Sequence, residues 1–192
     1  IRHAKKALSE GADGLILVCA GAGGHAGTLS PFALVREVRE FFDGPIALSG
    51  SISEGSSVLS ALALGADFAY VGTKFIATEE ANASPGYKQM IIDSTADDIM
   101  YSATFTGVNG NYLRPSVEAA GLNPEEHTSG SKDDMNFSTS AIAKKDNSSK
   151  AWKDIWGSGQ GIGTIKDAPS VQTAVDQMVS EYEEAKSRLD NF

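Results

Sequence analysis

The sequence predicts an α/β fold in which helices alternate with parallel strands. Apolar runs short enough for strands occur at residues 14–19, 46–48 and 68–71, and segments with helical spacing of apolar residues separate them. The connections between these segments are only a few residues long. Such a succession is typical of βα units, which place parallel strands side by side in one sheet.

The composition indicates an ordinary globular protein. The chain has 192 residues, of which 41% are hydrophobic and 21% are charged, which suits one domain with a sizeable core. The formal net charge of -9 argues against non-specific binding to nucleic acid or anionic membrane, because both require a positive field. No run reaches the roughly 18 to 20 apolar residues of a membrane span, and no signal-peptide pattern opens the chain. We therefore expect a cytoplasmic protein.

The first element is a helical segment at residues 1–10, which Gly11 ends. The chain starts inside this pattern and without methionine. We therefore expect it to be the carboxyl-terminal part of a longer protein.

The first strand leads directly into a glycine-rich segment that contains His25. Residues 15–28 read LILVCAGAGGHAGT, an apolar run followed by four glycines. The run predicts a strand buried on both faces, and the glycines predict a tight loop for His25 at its carboxyl end. Parallel α/β proteins bind ligands at that edge. Cys19 is the only cysteine, which excludes an internal disulfide, and we expect it to close the buried strand.

The next elements repeat the strand and helix pattern. Ser30 and Pro31 supply an N-cap and a first-turn proline for a helix that ends before residue 44. A short strand at 46–48 is followed by a helix from about 54 to 64, and the third strand at 68–71 runs into Gly72-Thr73.

The alternation of strands and helices ends after residue 75. Residues 77–100 have scattered helical character with a predicted break at Pro85-Gly86, residues 100–106 favour an extended segment, and residues 108–114 favour a turn. Residues 121–150 are polar and predict a surface excursion. The chain ends in an amphipathic helix whose predicted packing stripe contains Val171, Val175, Met178, Tyr182, Ala185 and Leu189.

Two successive strand ends carry a glycine followed by a hydroxyl residue, Gly50-Ser51 and Gly72-Thr73. Loops after the last two strands of a (β/α)₈ barrel commonly bind phosphate, because backbone N–H groups converge there. The alternative is that both glycines only permit tight turns. The His25 loop lies at the same predicted edge, which favours a phosphate site and a catalytic or substrate-contacting role for His25.

Other common sites have no signature in the sequence. The motifs HExxH and CxxC are absent, so we expect no metal site, and GxSxG is absent as well. Residues 157–163 are rich in glycine, but no strand precedes them, so they fail the context of a dinucleotide-binding loop. We expect His3 and His127 to be surface residues.

An ordered set of short motifs resembles the nitronate monooxygenase family, formerly called 2-nitropropane dioxygenases. The set is GGHAG at 23–27, LSGSI at 48–52, GAD at 65–67, VGTKF at 71–75 and TEE at 78–80. The resemblance runs from about residue 1 to 120, and residues 156–163 with the final helix are similar to the tail of that family.

The resemblance implies an FMN enzyme on a TIM (β/α)₈ barrel, of which this chain holds only the last strands and helices. Residues 1–80 would be the carboxyl-terminal part of the barrel, 81–150 a helical and loop extension with a polar insertion, and 151–192 a glycine-rich segment and a helix that packs back on the barrel. The implied reaction oxidises an alkyl nitronate with oxygen to a carbonyl compound and nitrite. It leaves homo-oligomer formation open.

Specific residues follow from the matching motifs. The resemblance implies that His25 contacts the substrate as a base or charge partner. It implies that FMN contacts Gly23, Gly24, Gly50, Ser51, Gly72 and Thr73, with the phosphate held at the last two strand ends. Family members often have two glycines where this chain has Gly50-Ser51, and an arginine at Lys74. Neither change removes a backbone N–H donor. Gly21 stands where an acidic residue is common, which bears on substrate preference.

Two alternative functions remain at this point. An FMN-dependent enoyl-acyl-carrier-protein reductase shares the glycine-histidine loop and the barrel but takes hydride from NADH. A non-catalytic flavin-binding protein would bind FMN without turnover.

Overall fold

A computed structural model describes residues 1–127 and 154–191 of the chain. The strands are β1 (Leu15–Val18), β2 (Gly24–His25), β3 (Ile46–Ser49), β4 (Phe68–Tyr70), β5 (Ile99–Ser102) and β6 (Gly110–Leu113). The helices are α1 (Arg2–Ser9), α2 (Pro31–Arg39), α3 (Gly55–Leu64), α4 (Thr73–Ile76), α5 (Pro85–Asp93), α6 (Arg114–Ala119) and α7 (Val171–Leu189). Short 3₁₀ helices cover Ala96–Asp98, Pro124–His127 and Gln160–Thr164.

The three predicted strands form a parallel sheet in the order β1-β3-β4. Leu17 pairs with Leu48, and Leu48 pairs with Ala69, so the carboxyl ends of the three strands lie along one edge. The predicted α/β arrangement with parallel strands is confirmed for the described residues.

One face of the parallel sheet packs against α1, α2 and α3. Leu15, Leu17, Ile46 and Leu48 are buried there together with Leu34, Val35 and Val38. The opposite face is open, because Ile16 is 58% exposed and Phe68 is 61% exposed. The prediction that β1 is buried on both faces is therefore wrong, since no layer among the described residues covers the second face.

A second, antiparallel sheet has the order β2-β6-β5. Gly24 pairs with Asn111 and His25 pairs with Gly110, so His25 lies on a two-residue strand and not on the predicted loop. The predicted turn at 108–114 is also wrong, because most of that segment is β6. Both errors concern strand pairing: β2 forms by pairing with β6, and β6 pairs along its whole length with β5.

Helix α5 begins where the sequence predicted a break. Pro85 occupies the first turn, and the Ser84 hydroxyl accepts the Tyr87 N–H at 3.3 Å as an N-cap. Proline lacks an N–H that the first turn does not need, so Pro85 starts this helix instead of interrupting it.

Helix α7 confirms the predicted terminal helix and packs mainly against α3. Its buried residues are Ala174, Met178 and Ala185, whereas Val171, Val175 and Leu189 are exposed. The predicted packing stripe is therefore only partly right. The described residues include no helix long and apolar enough to cross a bilayer. Most of the polar stretch at 121–150 lies outside the described residues.

Candidate functional site

A cavity of about 250 Å³ lies at the carboxyl ends of the parallel strands. Its walls come from the segments that follow β1, β3 and β4 and from the glycine-rich segment near residue 160. The lining residues are Ala22, Gly23, Gly24, Ser49, Gly50, Ser51, Ile52, Ser53, Tyr70, Gly72, Thr73, Ile76, Gly157 and Gly161. All six residues that the sequence predicts to bind the cofactor thus line one cavity.

The cavity wall offers backbone groups and hydroxyls, and none of its described lining residues carries a charge. An added Cβ on Gly72 meets no atom within 4 Å, so this position faces open space. Gly72 is also the N-cap of α4, and the first N–H groups of a helix have no acceptor within the helix. The wall can therefore accept a close ligand and donate hydrogen bonds to it.

The turn after β3 is held in an unusual backbone conformation. Gly50 has φ +136° and Ser51 has φ +56°, which is rare for a residue with a side chain. The Ser51 N–H donates to the Gly21 carbonyl at 3.3 Å. The Ser51 hydroxyl donates to the same carbonyl at 3.5 Å, so both donors of this residue already have a protein acceptor.

The glycine-rich segment at 157–163 contributes Gly157 and Gly161 to the cavity, although it fails the context of a dinucleotide-binding loop. The Gly159 N–H donates to the Thr73 Oγ1 at 3.0 Å, and the Gln160 N–H donates to the Gly21 carbonyl at 2.9 Å. An added Cβ on Gly23 would lie 2.8 Å from the Gly159 nitrogen. Glycine at alternate positions from 157 to 163 therefore allows two backbone segments to touch. This alternation of glycines is the sequence feature that could have indicated the close contact.

Asn111 holds the lining residue Ala22 by a hydrogen bond, and no pattern in the sequence predicted this role. Its side chain is 2% exposed, and its Nδ2 donates to the Ala22 carbonyl at 2.7 Å. Cys19 is fully buried beneath the turn that carries Gly50, and burial raises the pKa of its thiol. Both side chains support the cavity wall, and a raised pKa disfavours the reactive thiolate of Cys19.

His25 lies beside the cavity, directly after the lining residue Gly24. Its side chain is exposed, and its Nε2 is 2.9 Å from the Thr106 Oγ1. The strand pairing of β2 with β6 holds the backbone of His25. His25 therefore follows a lining residue in the chain, but it does not itself line the cavity. His3 is exposed on α1, as predicted.

The described residues contain no group of three or more His, Cys, Asp or Glu side chains that could hold a metal ion.

Comparison with a family model gives a match over residues 1–181 to the family described as nitronate monooxygenase. A nitronate monooxygenase of Paraburkholderia phytofirmans is 29% identical over 133 residues, which covers 65% of this chain and 36% of that protein. A nitronate monooxygenase of Neurospora crassa is 28% identical over 208 residues, covering 98% of this chain and 53% of that protein. The resemblance found in the motifs is confirmed.

Two solved structures match almost the whole chain. Nitroalkane oxidase from Streptomyces ansochromogenes has a TM-score of 0.74 and 25% identity, covering 98% of this chain and 56% of that one. FabK from Thermotoga maritima has a TM-score of 0.75 and 22% identity, covering 98% of this chain and 60% of that one. The chain thus spans between about a third and three fifths of the relatives and structures compared.

Proposed function

Because the chain belongs to the nitronate monooxygenase family, we propose that the full-length protein oxidises alkyl nitronates with oxygen to carbonyl compounds and nitrite, using FMN. The observation that carries the proposal is the glycine-lined cavity at the carboxyl ends of three parallel strands, with His25 directly after its lining residue Gly24 in the chain. We further propose that the parallel sheet is part of a (β/α)₈ barrel, whose active site lies at that edge.

The residues of the cavity fit the phosphate end of FMN. Glycines permit close approach of an anion to the backbone, and the open position at Gly72 leaves space that any larger residue would fill. The Thr73 Oγ1 accepts the Gly159 N–H, so its own hydrogen is available to a phosphate oxygen. The residues that would hold FMN are Gly23, Gly24, Gly50, Ser51, Gly72 and Thr73.

FMN, when bound, supplies the electron-accepting ring that this oxidation requires. His25 supplies charge and proton transfer. In its protonated form, the imidazole offsets the negative charge of a nitronate. In its neutral form, it takes a proton from the carbon next to the nitro group of a nitroalkane, and the C–H electron pair stays on the resulting nitronate.

The proposed organisation keeps three parts. Residues 1–80 contribute the carboxyl-terminal part of the barrel, residues 81–150 the extension, and residues 151–192 the returning segment. The contact of α7 with α3 and the bond from Gly159 to Thr73 support the return of the last part onto the first.

The experiment that tests the function is an anaerobic absorbance titration of the FMN-loaded, full-length protein with an alkyl nitronate. We expect the nitronate alone to bleach the flavin, and oxygen to restore the absorbance with release of nitrite. A parallel titration adds NADH first and a crotonyl thioester afterwards. Bleaching by NADH alone would support the enoyl reductase instead, and retention of FMN without bleaching by either would support a non-catalytic flavin protein.

The His25→Ala variant tests the catalytic assignment in a turnover assay with a nitroalkane and oxygen. Proton-transfer groups contribute a factor of about 10² to 10⁴, so we expect nitroalkane turnover to fall by that order while FMN stays bound. His3→Ala is the matched control, because His3 is exposed on α1 and away from the described cavity lining. Unchanged turnover in His25→Ala would remove His25 from the mechanism.

A further inference from the structure

The imidazole of His25 has a specific hydrogen-bond partner in the turn that joins β5 to β6. The Nε2 of His25 is 2.9 Å from the Thr106 Oγ1, although the two residues are 81 positions apart in the chain. No other side-chain hydrogen bond of this imidazole occurs among the residues that the structure describes. The Thr106 hydroxyl is therefore the group that can control the orientation of the ring.

The hydrogen bonds of Thr106 determine which atom donates to which. The Thr106 hydroxyl donates to the Val108 carbonyl at 2.9 Å, and a carbonyl oxygen can only accept. A hydroxyl has one hydrogen, and the Tyr112 hydroxyl at 3.4 Å is a more distant acceptor for it than the Val108 carbonyl. With that hydrogen on the Val108 carbonyl, Thr106 Oγ1 faces His25 with a lone pair. The two 2.9 Å contacts of Thr106 Oγ1 are satisfied together only when Nε2 of His25 carries the hydrogen and donates it.

We propose that Thr106 is a positioning residue that holds neutral His25 in the tautomer with hydrogen on Nε2, leaving Nδ1 as the basic atom. The proposal rests on the function proposed above, in which His25 removes a proton from a nitroalkane. The proton moves from the substrate carbon to Nδ1, and the C–H electron pair remains on the nitronate. The Nε2–H bond to Thr106 is kept throughout and stabilises the charged imidazolium that forms.

The surrounding hairpin holds the two partners in place. The Val108 N–H donates back to the Thr106 Oγ1 at 3.3 Å, which closes a local turn around the hydroxyl. The Ala26 N–H donates to the Asn109 carbonyl at 3.2 Å, and the Tyr101 hydroxyl donates to the Ala26 carbonyl at 2.9 Å. The hairpin thus anchors the backbone beside His25 separately from its side chain.

This separation provides a matched set of variants. Thr106→Val removes the hydroxyl and keeps the shape of the side chain, whereas Thr106→Ser restores the hydroxyl. Tyr101→Phe removes a backbone anchor next to His25 without touching the imidazole. A merely structural role would make Thr106→Val and Tyr101→Phe behave alike.

The deciding measurement is the tautomer of His25 in the full-length protein, read from two-bond proton to ¹⁵N couplings of labelled histidine at alkaline pH. The His25→Ala spectrum identifies the His25 signals by their loss. We expect the Nε2–H tautomer in the wild type, in Thr106→Ser and in Tyr101→Phe, and a mixture of tautomers in Thr106→Val. A wild-type ring with hydrogen on Nδ1, or an unchanged tautomer in Thr106→Val, overturns the proposal.

Kinetics link the tautomer to the reaction. We expect Thr106→Val to lower kcat for a nitroalkane about tenfold with little change in KM, and Thr106→Ser to recover most of that loss. If the tautomers behave as expected while His25→Ala retains full turnover, the proposed catalytic function fails and the tautomer assignment stands. The two failures are therefore distinguishable.

Discussion

Gly72 offers the most direct test of the cavity at the scale of one residue. Its φ of -116° is accessible to any residue, and an added side chain meets no protein atom within 4 Å. Gly24 and Gly50 have positive φ, so substitutions there would strain the backbone as well. We expect Gly72→Leu to leave the fold intact and to reduce FMN retention at least tenfold, measured as flavin content after dialysis and as Kd by fluorescence.

Gly86→Leu is the control for this prediction. Gly86 lies in the first turn of α5 outside the lining of the cavity, and an added Cβ would meet only the Trp156 ring at 3.5 Å. FMN content should match the wild type in this variant. Equal flavin content in Gly72→Leu would mean that the phosphate does not occupy this part of the cavity.

Asp67 shows how one carboxylate joins three elements. Its Oδ2 accepts the Ile46 N–H at 2.8 Å and the Arg39 Nη2–H at 2.7 Å. The hydrogen bond from the Ile46 backbone, followed by the Arg39 guanidinium, holds the pKa of this carboxyl below its ordinary value. Because the pKa of this carboxyl is lower in the folded state than in the unfolded state, its ionisation stabilises the fold at pH values above the unfolded-state pKa of about 3.9. This stabilisation is lost as the pH falls through the folded-state pKa.

We therefore expect Asp67→Asn to lower the urea midpoint at pH 7, because the amide carries no charge for Arg39. The difference from the wild type should shrink as the pH is lowered from 5 towards 2, where the wild-type carboxyl becomes protonated. Asp13→Asn, the corresponding position of the earlier Gly-Ala-Asp segment, serves as control. A difference that stays constant with pH would contradict the ionic role of Asp67.

At the scale of elements, the crossing of α3 and α7 depends on Gly55. A Cβ at this position would overlap the backbone of Met178 and Tyr182, and the Gly55 N–H donates to the Glu181 Oε2 at 2.8 Å. Adding a carbon atom to a tightly packed contact typically costs about 1–3 kcal/mol. We expect Gly55→Ala to lower the free energy of unfolding by about 2 kcal/mol, measured by denaturant titration.

Gly86→Ala is the matched variant, because Gly86 also lies in the first turn of a helix but has room for a Cβ. Its unfolding free energy should change by less than about 0.5 kcal/mol. If Gly55→Ala were as stable as Gly86→Ala, α3 and α7 would not be in backbone contact.

At the scale of the whole molecule, the open face of the parallel sheet is apolar. Phe68 is 61% exposed and Tyr70 is 54% exposed, and they continue the face that begins with Ile16. A closed (β/α)₈ barrel would bury this face in its interior. We expect Phe68→Ser in the full-length protein to cost about 3 kcal/mol or more, the range of a large-to-small change in a core.

Phe32→Ser is the control for barrel closure, because Phe32 is 68% exposed and lies on α2, on the helical side of the sheet. Its unfolding free energy should change by less than about 0.5 kcal/mol. Equal, small effects of both substitutions on the denaturant midpoint would mean that the sheet face stays in water, and barrel closure would be rejected.

Local signals predicted the elements that depend on local physics. Ser30 and Pro31 begin α2 as expected, since an N-cap hydroxyl and a first-turn proline act within one turn of helix. The apolar runs that became β1, β3 and β4 were also found from neighbouring residues alone. Their parallel order followed from the short connections between them.

Long-range contacts explain the structural features that the sequence did not predict or predicted wrongly. The strand state of His25 depends on Gly110, and the exposure of Val175 depends on how α7 crosses α3 at Gly55. Residues 157–161 joined the cavity by touching Gly23, more than 130 positions away. Neither propensity nor periodicity contains such pairings, because they arise only when distant segments are brought together.

The sequence by itself determined the α/β class, the family, and the set of glycines and hydroxyls that line the cavity. Each of these follows from local backbone preferences, or from short motifs and their order along the chain. Only the tertiary structure decided that residues 157–161 complete the wall, and that Thr106 reaches Nε2 of His25. These two depend on distances between segments far apart in the chain, which packing sets and local sequence does not.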